Sequence, residues 1–133
     1  MARESAAKGI DGLFDLIKRL RGEGGCPWDR RQTPQTMKKY LLEECGELVE
    51  AIDSGDTAAV REESGDVLFI LSFLIHLYEE KGCFDLQAVC EEAHAKMVRR
   101  HPHVFGDTVV HNEEELYRQW DAIKAAEKQG QQG

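Results

Sequence analysis

Hydrophobic positions recur at helical spacing along five stretches of the chain. Ile10, Leu13, Phe14, Ile17 and Leu20 fall on one side of a 3.6-residue period between Gly9 and Arg21, a helix that Gly22, Gly24 and Gly25 then break. The following Gly25-Cys26-Pro27-Trp28-Asp29 reads as a loop, and Thr33-Pro34 as an N-cap with proline at the first helical position. In the second helix Leu41, Cys45, Leu48 and Ile52 form a stripe expected to face inward. Gly55 is placed to close that helix and Asp56 to cap the next. The third helix, Thr57 to about Lys81, has Val67, Ile70, Leu74 and Leu77 on one face, while Leu68, Phe69, Leu71, Phe73 and Ile75 carry the apolar surface around it. A helix apolar on all sides in so short a chain predicts a subunit interface. Gly82 ends the third helix and Asp85 caps a fourth, whose inward positions are Leu86, Val89, Cys90, Ala93 and Met97 and whose stop is His101-Pro102. After a loop from His103 to Asp107, Asn112 with Glu115 makes a capping-box pattern for a fifth helix lined by Leu116, Trp120 and Ile123. No segment alternates as a strand. The expected fold is all-α: an antiparallel bundle of about five helices that dimerises through an apolar helix face.

Acidic residues interrupt this pattern in a way that demands chemistry. At about 100° per residue, Glu44 and Glu47 point roughly 60° apart, as do Glu63 and Asp66. Glu44 and Glu47 lie on a flank of the second helix in line with Met37, Tyr40 and Ala51, whereas Glu43 and Glu50 point to the far side. Glu63 and Asp66 share the apolar face of the third helix. An unpaired buried carboxylate costs several kcal/mol, so a sequence that places two there must bring cations to them. The turn at Ser54-Gly55-Asp56 would set the two pairs opposite each other.

Composition narrows the partners. The chain has 133 residues, enough for a single domain, with a core of about 9–127 and a polar tail, 128–133, expected to fray. Seventeen basic against 25 acidic residues give a net charge of −8, which argues against nucleic acid or an anionic membrane as the main partner. The apolar run from Val67 to Leu77 is shorter than the roughly 20 residues a membrane span needs. Met1 to Gly9 shows no basic cluster followed by an apolar run, so no leader or lipid anchor is expected there. Cys26, Cys45, Cys83 and Cys90 lack metal-site spacing, which favours reduced thiols and a cytoplasmic protein.

Oxygen-only ligation by four carboxylates suits a hard divalent ion, magnesium or else manganese. Lys96 and Arg100, four residues apart on the fourth helix, can either neutralise the acids or hold phosphate oxygens; the plainer reading is basic charge favourable at a helix C-terminus. Trp28 and Trp120 can stack on a base, although each more often packs. His76, inside an apolar run, reads as a core or interface histidine. No phosphate-binding glycine loop and no nucleophile motif is present. Metal-assisted hydrolysis is the chemistry that remains.

Glu43-Glu44-x-x-Glu47 followed by Glu63-x-x-Asp66, with Cys26-Pro27-Trp28-Asp29, Tyr40-Leu41-Leu42, Gly65, Phe84-Asp85 and the run from Lys96 to Phe105, resembles the signature of the MazG-like nucleoside triphosphate pyrophosphohydrolases. The resemblance extends from about Gly25 to Lys124. It implies a helical bundle forming a homodimer or a dimer of dimers, and cleavage of a nucleoside triphosphate between the α and β phosphates to monophosphate and pyrophosphate. It also implies metal ligands at Glu44, Glu47, Glu63 and Asp66, phosphate contacts at Lys96 and Arg100, and a base contact at Trp120. Glu43 is the candidate general base or supporting partner of a ligand. The alternative is a catalytically silent helical dimer that binds a nucleotide or a partner.

Overall fold

A computed structural model describes the backbone of residues 9–132 and the side chains to Gly130; what the sequence suggests for residues 1–8 and Gly133 lies outside them. The described residues form seven helices: α1 (Ile10–Arg21), α2 (Pro27–Arg30), α3 (Pro34–Ser54), α4 (Thr57–Glu80), α5 (Leu86–Arg100), α6 (Pro102–Phe105) and α7 (Glu113–Gln132). No strand occurs among them. Five are the helices expected from periodicity. The single turns α2 and α6 replace expected loops, and each begins with a proline at its first position, where a missing N–H costs nothing. A first compact unit ends at Leu86 and a second begins at Gln87.

The α3–α4 hairpin is the frame of the first unit. Thr33 and Thr36 cap α3 reciprocally: Thr33 Oγ1 accepts from the Thr36 N–H at 3.3 Å, and Thr36 Oγ1 accepts from the Thr33 N–H at 2.9 Å. Gly55 closes α3 with φ at +75°, a conformation that costs other residues a Cβ clash. Asp56 Oδ1 then accepts from the N–H groups of Ala58 and Ala59, starting α4 at once. So short a turn returns α4 antiparallel along α3, while α1 packs on α4 and α2 on α1.

Ile17, Met37, Phe73 and Leu77 make the buried core, with Tyr40, Phe69 and Ile70 packed against it. Two expected faces differ. On α3, Cys45 and Ile52 are exposed and Leu41 and Leu48 half-buried, whereas Pro34, Met37 and Ala51 are buried. The helix is turned toward the flank that carries Glu44, because Met37 is the residue that α1 and α4 enclose. On α4, Phe73 and Ile75 are buried rather than surplus surface, Phe73 because it packs with Ile17 of α1; Leu68 and Leu71 remain 43% exposed.

Arg21 ties three of these helices. Its Nε and Nη2 donate to the two carboxylate oxygens of Glu80 on α4, both at 2.7 Å, and Nη1 donates to the Asp29 carbonyl at 2.6 Å and the Gln32 carbonyl at 3.2 Å at the end of α2. His76 is buried as expected, its Nε2 2.9 Å from Glu80.

The second unit comprises α6, α7 and almost all of α5. None of its described side chains is buried, and Cys90, Ala93 and Met97, expected to face inward, are exposed. The α7 start departs slightly from a standard capping box. Asn112 Oδ1 accepts from the Glu115 N–H at 2.9 Å, but the Glu115 carboxylate accepts from the N–H of His111, one residue earlier than the cap. All four cysteines are free thiols. No helix among the described residues is long and apolar enough to cross a membrane.

Candidate metal centre and basic cradle

Glu44 and Glu47 lie three residues apart on α3, and Glu63 and Asp66 three apart on the facing turns of α4. The hairpin brings all four together: one carboxylate oxygen from each lies within 4.8 Å of the others. Glu44 and Glu63 are half-buried, Glu47 and Asp66 exposed. Asp66 therefore sits at the rim rather than inside the apolar face.

The electrostatics of the cluster are those of an unneutralised site. Partial burial, then the hydrogen bond and charge of Glu47 and the charges of Asp66 and Glu43, push the Glu44 carboxyl above its ordinary range. Burial, followed by the charges of Glu47 and Asp66, pushes Glu63 up to about 7. One buried oxygen on each of these residues, Glu44 Oε2 and Glu63 Oε2, has no hydrogen-bond partner. Converging oxygens, unmet acceptors and repelling charges are what a hard divalent cation relieves, so the donor set fits one. Glu43 is exposed and outside the convergent four, yet close enough for its charge to be felt by Glu44.

Within the second unit, Lys96 and Arg100 lie on one side of α5 and line a cavity of about 380 Å³ with Arg99, Lys124, Glu127 and Lys128. The Arg100 guanidinium carbon lies 5.1 Å from the centroid of the Trp120 ring, and Arg100 Nη2 donates to Glu127 Oε1 at 2.8 Å. Arg99 also donates to Glu127, from Nε to Oε2 at 2.6 Å. Trp120 is half-buried, with His101 edge-on at 5.4 Å between centroids.

A family model described as the MazG nucleotide pyrophosphohydrolase domain matches residues 32–105, more than half of the chain and both acidic pairs. The chain belongs to the MazG family. It is 44% identical over 116 residues to the nucleoside triphosphate pyrophosphohydrolase/pyrophosphatase MazG of Thermotoga maritima, covering 87% of this chain and 44% of that protein. It is 42% identical over 120 residues to the nucleoside triphosphate pyrophosphohydrolase of Escherichia coli K12, covering 90% of this chain and 46% of that one. Against a protein named YabN from Bacillus subtilis the identity is 48%, over 85% of this chain and 23% of that protein. The chain thus spans between about a quarter and a half of the length of these curated relatives. The crystal structure of a MazG-related protein from Thermotoga maritima superposes with a TM-score of 0.70 at 25% identity, covering 86% of this chain and 98% of that one.

In this MazG chain the features that sequence reasoning missed are Arg99 and Glu127. Neither belongs to a periodic apolar stripe, and their pairing joins residues far apart in the chain. The only advance signal was Glu127 seven residues after Trp120, which puts both on one face of α7.

Proposed function

We propose that this chain is a divalent-metal-dependent nucleotide pyrophosphohydrolase, cleaving a nucleoside triphosphate between the α and β phosphates to give a monophosphate and pyrophosphate. The observation that carries the reading is the convergence of Glu44, Glu47, Glu63 and Asp66 on one point of the α3–α4 hairpin in a chain of the MazG family. These four residues would hold the ion, magnesium or manganese. Once bound, the ion supplies Lewis-acid polarisation of the phosphate and of an attacking water.

The chain's own residues do the remainder. Glu44 and Glu63, whose carboxyls are held above their ordinary range, would have to be ionised to hold the cation, so its binding would favour four anionic ligands. Lys96 and Arg100 bind phosphate oxygens, Arg100 through a planar fork suited to two of them. Trp120 contributes an aromatic surface for the base. Glu43 is the proposed base or supporting partner beside Glu44. The protein is proposed to act in the cytoplasm on free nucleotides as a homodimer or dimer of dimers. The exposed apolar residues Leu42, Val49 and Ile52 of α3 and Leu68 and Leu71 of α4 support self-association.

The test is turnover. With magnesium and a panel of nucleoside triphosphates, chromatography should resolve monophosphate and pyrophosphate in equal amounts, and Asp66→Asn should abolish both. Saturable nucleotide binding without any turnover would instead identify a silent binding protein of the same fold. Release of single phosphates that persists in Asp66→Asn would defeat the hydrolase reading.

A further inference from the structure

Glu127 is the one acid placed between two arginines in the cavity of the second unit, and it is an odd residue to find there if the cavity exists only to attract anions. Lys96, Arg99, Arg100, Lys124 and Lys128 outnumber Glu92 and Glu127 around it, in a chain whose net charge is −8. Such a local excess of positive charge is maintained against the repulsion of its own members. Arg99 and Arg100 are neighbours on α5, and without a counter-charge their guanidinium groups would splay toward solvent.

The Glu127 carboxylate prevents that. Each of its oxygens takes one arginine, at 2.6 Å and 2.8 Å, and the Glu127 side chain is only 16% exposed, so the two cations are gathered at a fixed point. Arg100 is held twice from the same helix, since Trp120 lies under its guanidinium and is seven residues before Glu127 on α7. Arg100 Nη2 is engaged by Glu127 and Arg100 Nε is buried without a hydrogen-bond partner, so the side chain is fixed in place and has little freedom to swing toward solvent.

We propose that Glu127 is a positioning residue for anion recognition, fixing Arg99 and Arg100 as a single fork in a cradle that takes the polyphosphate of the nucleotide. The proposal deepens the pyrophosphohydrolase reading and, as far as substrate is concerned, rests on it. Glu127 acts through the arginines and touches no reacting atom. Its removal should therefore weaken binding and leave the chemical step alone.

The experiment uses the full chain with inorganic pyrophosphate as the probe, titrated calorimetrically in metal-free buffer, where the carboxylate cluster cannot bind it. Glu127→Gln should weaken pyrophosphate binding about tenfold and raise KM for a triphosphate by a similar factor, with kcat within about twofold. Glu127→Asp, which keeps the charge on a shorter arm, should recover part of the loss. Arg99→Gln changes a side chain that is 52% exposed, leaves the fold intact and should also weaken binding. Pyrophosphate affinity that is unchanged or tighter in Glu127→Gln, unchanged in Arg99→Gln, or undetectable in the parent protein overturns the proposal. Absence of triphosphate turnover by the parent protein refutes the hydrolase reading, whereas the pyrophosphate titrations still decide the role of Glu127.

Discussion

Arg21 and Glu80 meet through two parallel hydrogen bonds of equal length, yet the arginine carries more of the structure than its partner. Arg21 is 13% exposed in its side chain and also satisfies the Asp29 and Gln32 carbonyls; Glu80 is 38% exposed. Replacing Glu80 with glutamine is expected to cost no more than about 1 kcal/mol, as for a partly solvated pair. Arg21→Met gives up the guanidinium over the Phe73 ring, leaves the Asp29 carbonyl with only the Gln32 N–H at 3.3 Å and removes the donor to the Gln32 carbonyl, at a cost of about 2 kcal/mol. Urea denaturation of the two variants checks the order.

Phe73 and Leu71 sit two residues apart on α4 and should behave oppositely. Phe73 is 0% exposed and Leu71 43%. Phe73→Ala should destabilise by about 3–5 kcal/mol through lost burial and the cavity left behind. Leu71→Ser should leave the folding midpoint at low protein concentration nearly unchanged while lowering the mass measured by light scattering. A monomer mass for the parent protein at micromolar concentration would remove the self-association proposal.

Glu63→Gln separates the cost of the acidic cluster from its use. At pH 8, above the value of about 7 to which Glu63 is pushed, the substitution removes one converging charge, so the metal-free variant should melt at a higher temperature than the parent protein. Magnesium at a hundredfold excess over Kd should stabilise the parent by about 2.7 kcal/mol and the variant much less. A metal-free variant less stable than the parent, or an equal response to magnesium, would show that the carboxylates are not held together for a cation.

The acid limb of the stability curve should carry a contribution from Glu127. Hydrogen bonds from Arg100 and Arg99 hold its carboxyl far below 4.5, at about 2. A folded-state pKa below the unfolded one means that the contribution is complete above about pH 4.5 and lost as pH falls toward 2. The stability difference between the parent protein and Glu127→Gln should be constant near neutrality and close across that interval. Paired thermal melts from pH 6 to pH 2 measure it directly.

Which parts of this were legible in the sequence follows from how local each signal is. Helix ends were legible, because Thr33-Pro34, Gly55-Asp56 and Asn112 act within one turn of themselves. The convergent carboxylates were legible as well, since three-residue spacing and one short hairpin determine their geometry. The inward face of α3 was not, because the apolar residues Leu41, Cys45, Leu48 and Ile52 outline a convincing stripe, and only packing against α1 and α4 selects Met37 and Ala51 instead. The same holds for Phe73, whose burial depends on where α1 lies. Arg99–Glu127 and Arg21–Glu80 depend on the pairing of distant helices, for which residue spacing holds no signal.

The αL turn at Gly55 has a kinetic consequence. Because all four carboxylates belong to the two helices that it joins, the cluster requires the closure of one short loop rather than a search across the whole chain. Its geometry can arise as soon as the hairpin zips, ahead of any long-range docking. The mutual repulsion of the acids then opposes an early folding step, and a divalent cation present during folding should accelerate that step as well as stabilise its product.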